Sequence, residues 1–136
     1  MRRDLIAVFA AFGGALAGAA AAGDLEESPA VPSGHPVYLQ EMLFESRADN
    51  SRVARFRYVM PVIGRDTVGF ADVEADFDHL CRTRALPALA KNGETVDQVI
   101  ISLSDRETEF GVPSDVATQF FEAYSIENGT CIWEGY

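Results

Sequence analysis

The sequence predicts an α+β domain: an antiparallel-rich sheet of about five strands, one long helix packed on one face, and a C-terminal β-hairpin. Three observations carry this expectation. Apolar residues alternate at period two over Val53–Met60 and form a β-branched run over Asp97–Ser104, as strands do. Between those stretches the spacing becomes helical, with Phe70, Val73, Phe77, Leu80 and Cys81 within about 100° of one another. Near the end of the chain stands Asn128-Gly129, the pair favoured by a type I′ turn because both central residues need positive φ.

With 136 residues, 48% of them hydrophobic, the chain has the material for one domain with a core. Residues 1–22 are set aside first. Arg2 and Arg3 precede the small apolar run Leu5–Ala22, which ends in alanines suited to a peptidase. This is the pattern of a secretory signal peptide. An uncleaved membrane anchor is the competing reading, but the Ala/Gly-rich second half inserts weakly. Residues 23–36 form a polar, Pro-containing and flexible lead-in. The domain then occupies residues 37–136.

Within it, Val37–Glu45 reads as a strand with apolar residues on both faces, and residues 46–51 as a turn. The next strand turns Ala54, Phe56, Tyr58 and Met60 inward, with Arg55 and Arg57 outward. The helix is expected over Phe70–Arg84, capped by Asp66 or Thr67 and stopped by Pro87. Asp78 and Arg82 form a favourable i,i+4 pair on it. Asp97–Ser104 is the central strand, and Arg106–Gly111 a short strand or turn. Residues 115–124 read as one helical turn followed by strand from about Phe121. A two-residue hairpin then opposes Glu127 to Thr130, Ile126 to Cys131, Ser125 to Ile132 and Tyr124 to Trp133. Tyr124, Ile126, Cys131 and Trp133 share the face expected to be buried.

Cys81 and Cys131 are the two cysteines of the chain. One points into the predicted core from the helix, the other from the hairpin. An even count in an exported chain implies a disulfide between them, structural because no C-x-x-C motif is present.

Over "VPSGHPVYLQE", "DQVIISLSDRETEFG" and "FFEAYSIENGTCIWE" the chain resembles a family of small exported bacterial proteins of unknown function, some of which carry the label acetolactate synthase. The resemblance implies a shared fold and export, and no catalytic residue. The label finds no support in these residues, which include no Gly-rich phosphate loop and are too few for such an enzyme.

Charge limits function. Removing residues 1–22 takes away two arginines and one aspartate, so the net charge of −10 becomes −11. Such a surface repels phosphate backbones and anionic lipids. The sharpest polar cluster is Asp72, Asp76 and His79, within about 60° on the helix face opposite the expected core. It is read either as a Zn²⁺ or Mn²⁺ site or as a solvated face. Ser102, Asp105 and His79 are the components of a triad without a G-x-S-x-G elbow. Asn128-Gly129-Thr130 matches a glycosylation sequon, which the turn explains better. Arg55 and Arg57 stand side by side, either gripping an acidic partner or pairing with the chain's own acids. Phe121, Ala123, Ile132 and Tyr136 line the second hairpin face, an apolar contact surface if it is left open and core if covered.

The favoured reading is a periplasmic or secreted, monomeric, non-catalytic binding or accessory module. It has one disulfide, no cofactor, no nucleic-acid partner and no stable membrane insertion after leader removal. An envelope protein is its expected partner, through Arg55, Arg57, Phe121 and Tyr136. The alternative is a small metal-dependent hydrolase using Asp72, Asp76 and His79.

Overall fold

Five strands lie side by side in the order they occur in the chain: β1 (Tyr38–Ser46), β2 (Arg52–Val59), β3 (Gln98–Ser104), β4 (Gln119–Glu127) and β5 (Thr130–Trp133). The structure, a computed structural model, describes residues 28–135; the leader expected over residues 1–22 and Tyr136 lie outside the described residues. Neighbouring strands are antiparallel except β2 and β3, which run parallel from Val53 opposite Gln98 to Val59 opposite Ser104. The parallel pair follows from the connection: a helix between two strands carries the chain back to the end where it started. The fold is thus α+β with a mixed sheet. In β3, the central strand, only Ser102 is not buried.

The predicted hairpin forms with the expected register at all four pairs. Asn128 and Gly129 have φ of 54° and 71°, as the tight turn demands. The stretch 115–118, expected to hold a helical turn, is irregular, and β4 begins directly at Gln119. Alternation over Gln119–Glu127 in two-residue steps overrides the i, i+4 apolar spacing there. Arg106–Gly111 is a turn rather than a strand.

Helix α1 is longer than the sequence suggests. It runs as α-helix over Phe70–Leu80, as π-helix over Cys81–Ala85, and as α-helix again over Leu86–Lys91. Pro87 therefore does not end it. A proline inside an α-helix lacks a donor and its ring meets the carbonyl four residues earlier. The π-turn just before Pro87, in which the Leu86 N–H bonds the Cys81 carbonyl, widens the helix where that clash would fall. Nor do Asp66 or Thr67 cap the start. Gly69 is the N-cap, and the Asp72 carboxylate reaches back to accept its N–H at 2.8 Å. The Asp78–Arg82 pair forms as expected, at 2.7 Å.

The core lies between α1 and one face of the sheet. Phe77, Leu80 and Val73 of the helix meet Phe56, Val99, Ile101 and Leu103. Burying such a side chain contributes about 1.5–3 kcal/mol. Cys81 and Cys131 are joined within this layer, their Cα atoms 6.4 Å apart, and the bond ties α1 to β5 across 50 residues of chain.

The described part of the lead-in is not a loose linker. Val31 joins the core, and the Gly34 N–H closes a turn on the Val31 carbonyl at 2.9 Å. Among the described residues no helix is long and apolar enough to cross a membrane.

Candidate functional site: the sheet face away from the helix

Alternation that sends Phe56 and Ile101 toward α1 sends Arg55, Arg57, Ile100, Ser102, Phe121 and Ala123 to the other face. Among the described residues no helix covers that face. The segment between β3 and β4 folds back over part of it. Asp105 holds its base, accepting the Thr118 N–H at 2.8 Å while its own N–H bonds the Thr118 carbonyl at 3.0 Å. A hydrogen bond from the Arg106 guanidinium keeps the Asp105 carboxyl below the usual carboxylate range.

Both arginines are engaged. Arg57 is paired with Glu41, directly opposite it on β1, and donates to the Thr108 carbonyl at 3.1 Å and hydroxyl at 2.8 Å. Arg55 pairs with Glu45 at 2.6 Å. The Phe110 ring lies under both guanidinium groups, 5.1 and 5.4 Å from its centroid. The pairing with the chain's own acids thus holds for this ladder, which is charge-neutralised. Thr108 and Phe110 were not singled out by sequence reasoning. Their one signal is an aromatic residue in an otherwise polar inter-strand segment.

The apolar half of the face is open. Phe121 is 58% exposed and Ile132 43%, while Ala123 between them is buried against Val53 and Ile100. Two concavities, of about 160 and 410 Å³, meet here and share Arg55 and Phe121 in their walls. The arrangement offers apolar contact beside fixed, charge-paired hydrogen-bonding groups. The Ser102, Asp105 and His79 triad is not assembled: Ser102 lies on this face, whereas His79 is on α1 beyond the other.

The remaining candidates are dispersed. Asp72 is used as the helix cap. Asp76, expected on a solvated face, is fully buried. Its carboxylate accepts the Ser33 N–H at 2.9 Å and the Ser33 hydroxyl at 2.6 Å. It lies on the flank of the apolar stripe, where the folded-back residues 28–36 cover it. Among the described residues no three His, Cys, Asp or Glu side chains gather so as to hold a metal ion. Trp133 shares the sheet side of Tyr124 and Cys131 but is 57% exposed.

Over the described residues, fold and disulfide define a small α+β protein, a five-stranded mixed sheet backed by one long helix and pinned to it covalently. The chain belongs to a family of unknown function, DUF6497, whose match spans residues 10–136. Comparison with curated proteins found no match, and neither did comparison with solved structures.

Proposed function

We propose that the protein is exported from a bacterial cell by residues 1–22 and works outside the cytoplasm as a non-catalytic binding or accessory module. Its contact surface in this reading is the helix-free sheet face, and its partner a protein of the cell envelope. The observation that carries the reading is the exposure of Phe121 and Ile132 beside the charge-paired Arg55–Arg57 ladder. Large apolar side chains left open on a rigid, hydrogen-bonded frame are what protein-recognition patches are made of. A disulfide across the core supports an oxidising compartment.

The test is capture from envelope extracts with wild type, Phe121→Ser and Ile132→Ser, with Val116→Ser, an exposed position that lines neither concavity, as control. One specific protein should be retained by wild type and Val116→Ser and lost by the other two. Equal retention by all four ends the assignment of this face. Export is checked separately by finding the N-terminus of the mature protein at about residue 23 in the extracytoplasmic fraction.

A further inference from the structure

Away from that face, where α1 and the β4–β5 hairpin diverge, lies a second arrangement, a concavity of about 170 Å³ walled by Glu74, Asp78, Glu122, Tyr124 and Trp133. Glu74 and Asp78 are i and i+4 on α1, so they share a helix face. Glu122 and Tyr124 are two apart on β4, and Trp133 stands opposite Tyr124 on β5. The walls are held at fixed separation: three residues after Asp78 comes Cys81, two residues before Trp133 comes Cys131, and the two are bonded.

Each aromatic group is immobilised although exposed or unpartnered. The Trp133 indole N–H donates to Glu122 at 2.8 Å. The ring lies so close to Gly135 that a Cβ there would sit 2.8 Å from it. Tyr124 is only 2% exposed, and its hydroxyl, on the wall of the concavity, makes no hydrogen bond among the described residues. The charge is unbalanced. Arg82 engages Asp78, but no ion pair reaches Glu74 or Glu122 among the described residues. Three carboxylates against one guanidinium leave two negative charges beside an aromatic wall. Like charges at i, i+4 work against the helix, and Glu122 sets a third carboxylate opposite them.

We infer that this concavity is a binding site for the head of an organic cation, an alkylammonium group seated between the Trp133 ring and the carboxylates of Glu74, Asp78 and Glu122. An indole face and paired carboxylates are the combination that attracts such cations. The volume lies below the roughly 300–1,000 Å³ of sites that enclose a whole drug-sized ligand, so the site takes a head group only. The same chemistry is offered by a small quaternary ammonium compound and by a lysine side chain. The site is distinct from the helix-free face and stands or falls independently of it.

Trp133 is the sole tryptophan of the chain, so its fluorescence reports directly. The oxidised protein is titrated with choline chloride, with capped lysine, and with the neutral isostere 3,3-dimethylbutan-1-ol, at constant ionic strength because exposed charges are screened. A saturable change with a cation, absent with the neutral compound, is the expected result. Tighter binding of choline identifies a small quaternary ligand; tighter binding of lysine identifies a protein side chain. In Glu74→Gln, an exposed position whose change leaves the fold intact, affinity for that cation should fall about five- to tenfold, the scale of one partly desolvated charge contact. No saturation with either cation overturns the inference. So does an equal response to the neutral isostere, or undiminished affinity in the Glu74→Gln, Glu122→Gln double variant with its melting curve retained.

Discussion

Removing the buried carboxylate of Asp76 should be among the most damaging single changes outside the apolar core. The side chain is fully buried and accepts two hydrogen bonds from one residue 43 positions away, the N–H and the hydroxyl of Ser33. Hydrogen bonds to a charged acceptor contribute about 1.5–3 kcal/mol each, and a buried donor left without its acceptor costs a further part of that. Asp76→Ala strips both donors at once, for an expected loss of about 3–4 kcal/mol. Ser33→Ala removes the hydroxyl and keeps the N–H, for about 1.5–2 kcal/mol. The double variant should fall short of the sum by about 1.5 kcal/mol, because the hydroxyl bond is counted in both singles. Urea denaturation of oxidised protein, followed by fluorescence, gives all three values. Against a total stability on the order of 5–15 kcal/mol the effect is easily resolved. A loss below about 1 kcal/mol for Asp76→Ala, or strict additivity in the double variant, would refute the reasoning. Zn²⁺-dependent stabilisation abolished by Asp76→Ala would restore the metal-site reading of this residue.

Three further outcomes are expected. The Cys81–Cys131 bond closes a 50-residue span, which the chain-entropy relation values at about 4 kcal/mol. Reduction of the wild type, or Cys131→Ser in any buffer, should therefore lower Tm by about 15 °C or more, and superimposable oxidised and reduced melting curves would contradict it. Burial pushes the Tyr58 phenol up to about 12, and burial, reinforced by Asp78, Glu122 and Glu74, pushes Tyr124 up as well. A raised phenol favours the neutral form in the folded state. Its stabilisation is complete below the unfolded value of 10.0 and is lost as pH climbs through the folded one. Tyrosinate absorbance should thus show these two groups ionising above pH 10 in step with unfolding; smooth titration near pH 10 with native circular dichroism retained would count against it. Finally, a Cβ at Gly64 would lie 2.5 Å from the Asp105 carboxylate, at the base of the segment that carries Phe110. Gly64→Ala should cost about 1–3 kcal/mol and speed proteolysis between residues 105 and 118, whereas unchanged stability would show that Asp105 is free to move.

What could be read from the sequence was local, or periodic over a short span. Asn128-Gly129 admits one tight hairpin, and that turn alone sets four cross-strand pairs, the side on which Cys131 points, and the register of Trp133. Helical spacing put Cys81 on the core side of α1, so the disulfide followed from two independent local patterns. Where the expectation failed, a distant part of the chain had intervened. Asp76 sits on the margin of the apolar stripe, where its angle on the helix settles nothing; it is buried because Val31 and Ser33 fold over it from 43 to 45 residues upstream. Pro87 stops a regular helix, but a π-turn can precede it when packing on both sides rewards a longer one. Trp133 points to the predicted side of the sheet and is exposed nonetheless, since alternation fixes direction while tertiary packing decides what lies there to cover it. The same holds for Phe121 and Ile132, whose openness depends on how far the segment after β3 extends over the sheet. Direction along the chain is encoded by backbone periodicity and turn chemistry; burial is a property of whatever else arrives, and only the assembled tertiary structure specifies that.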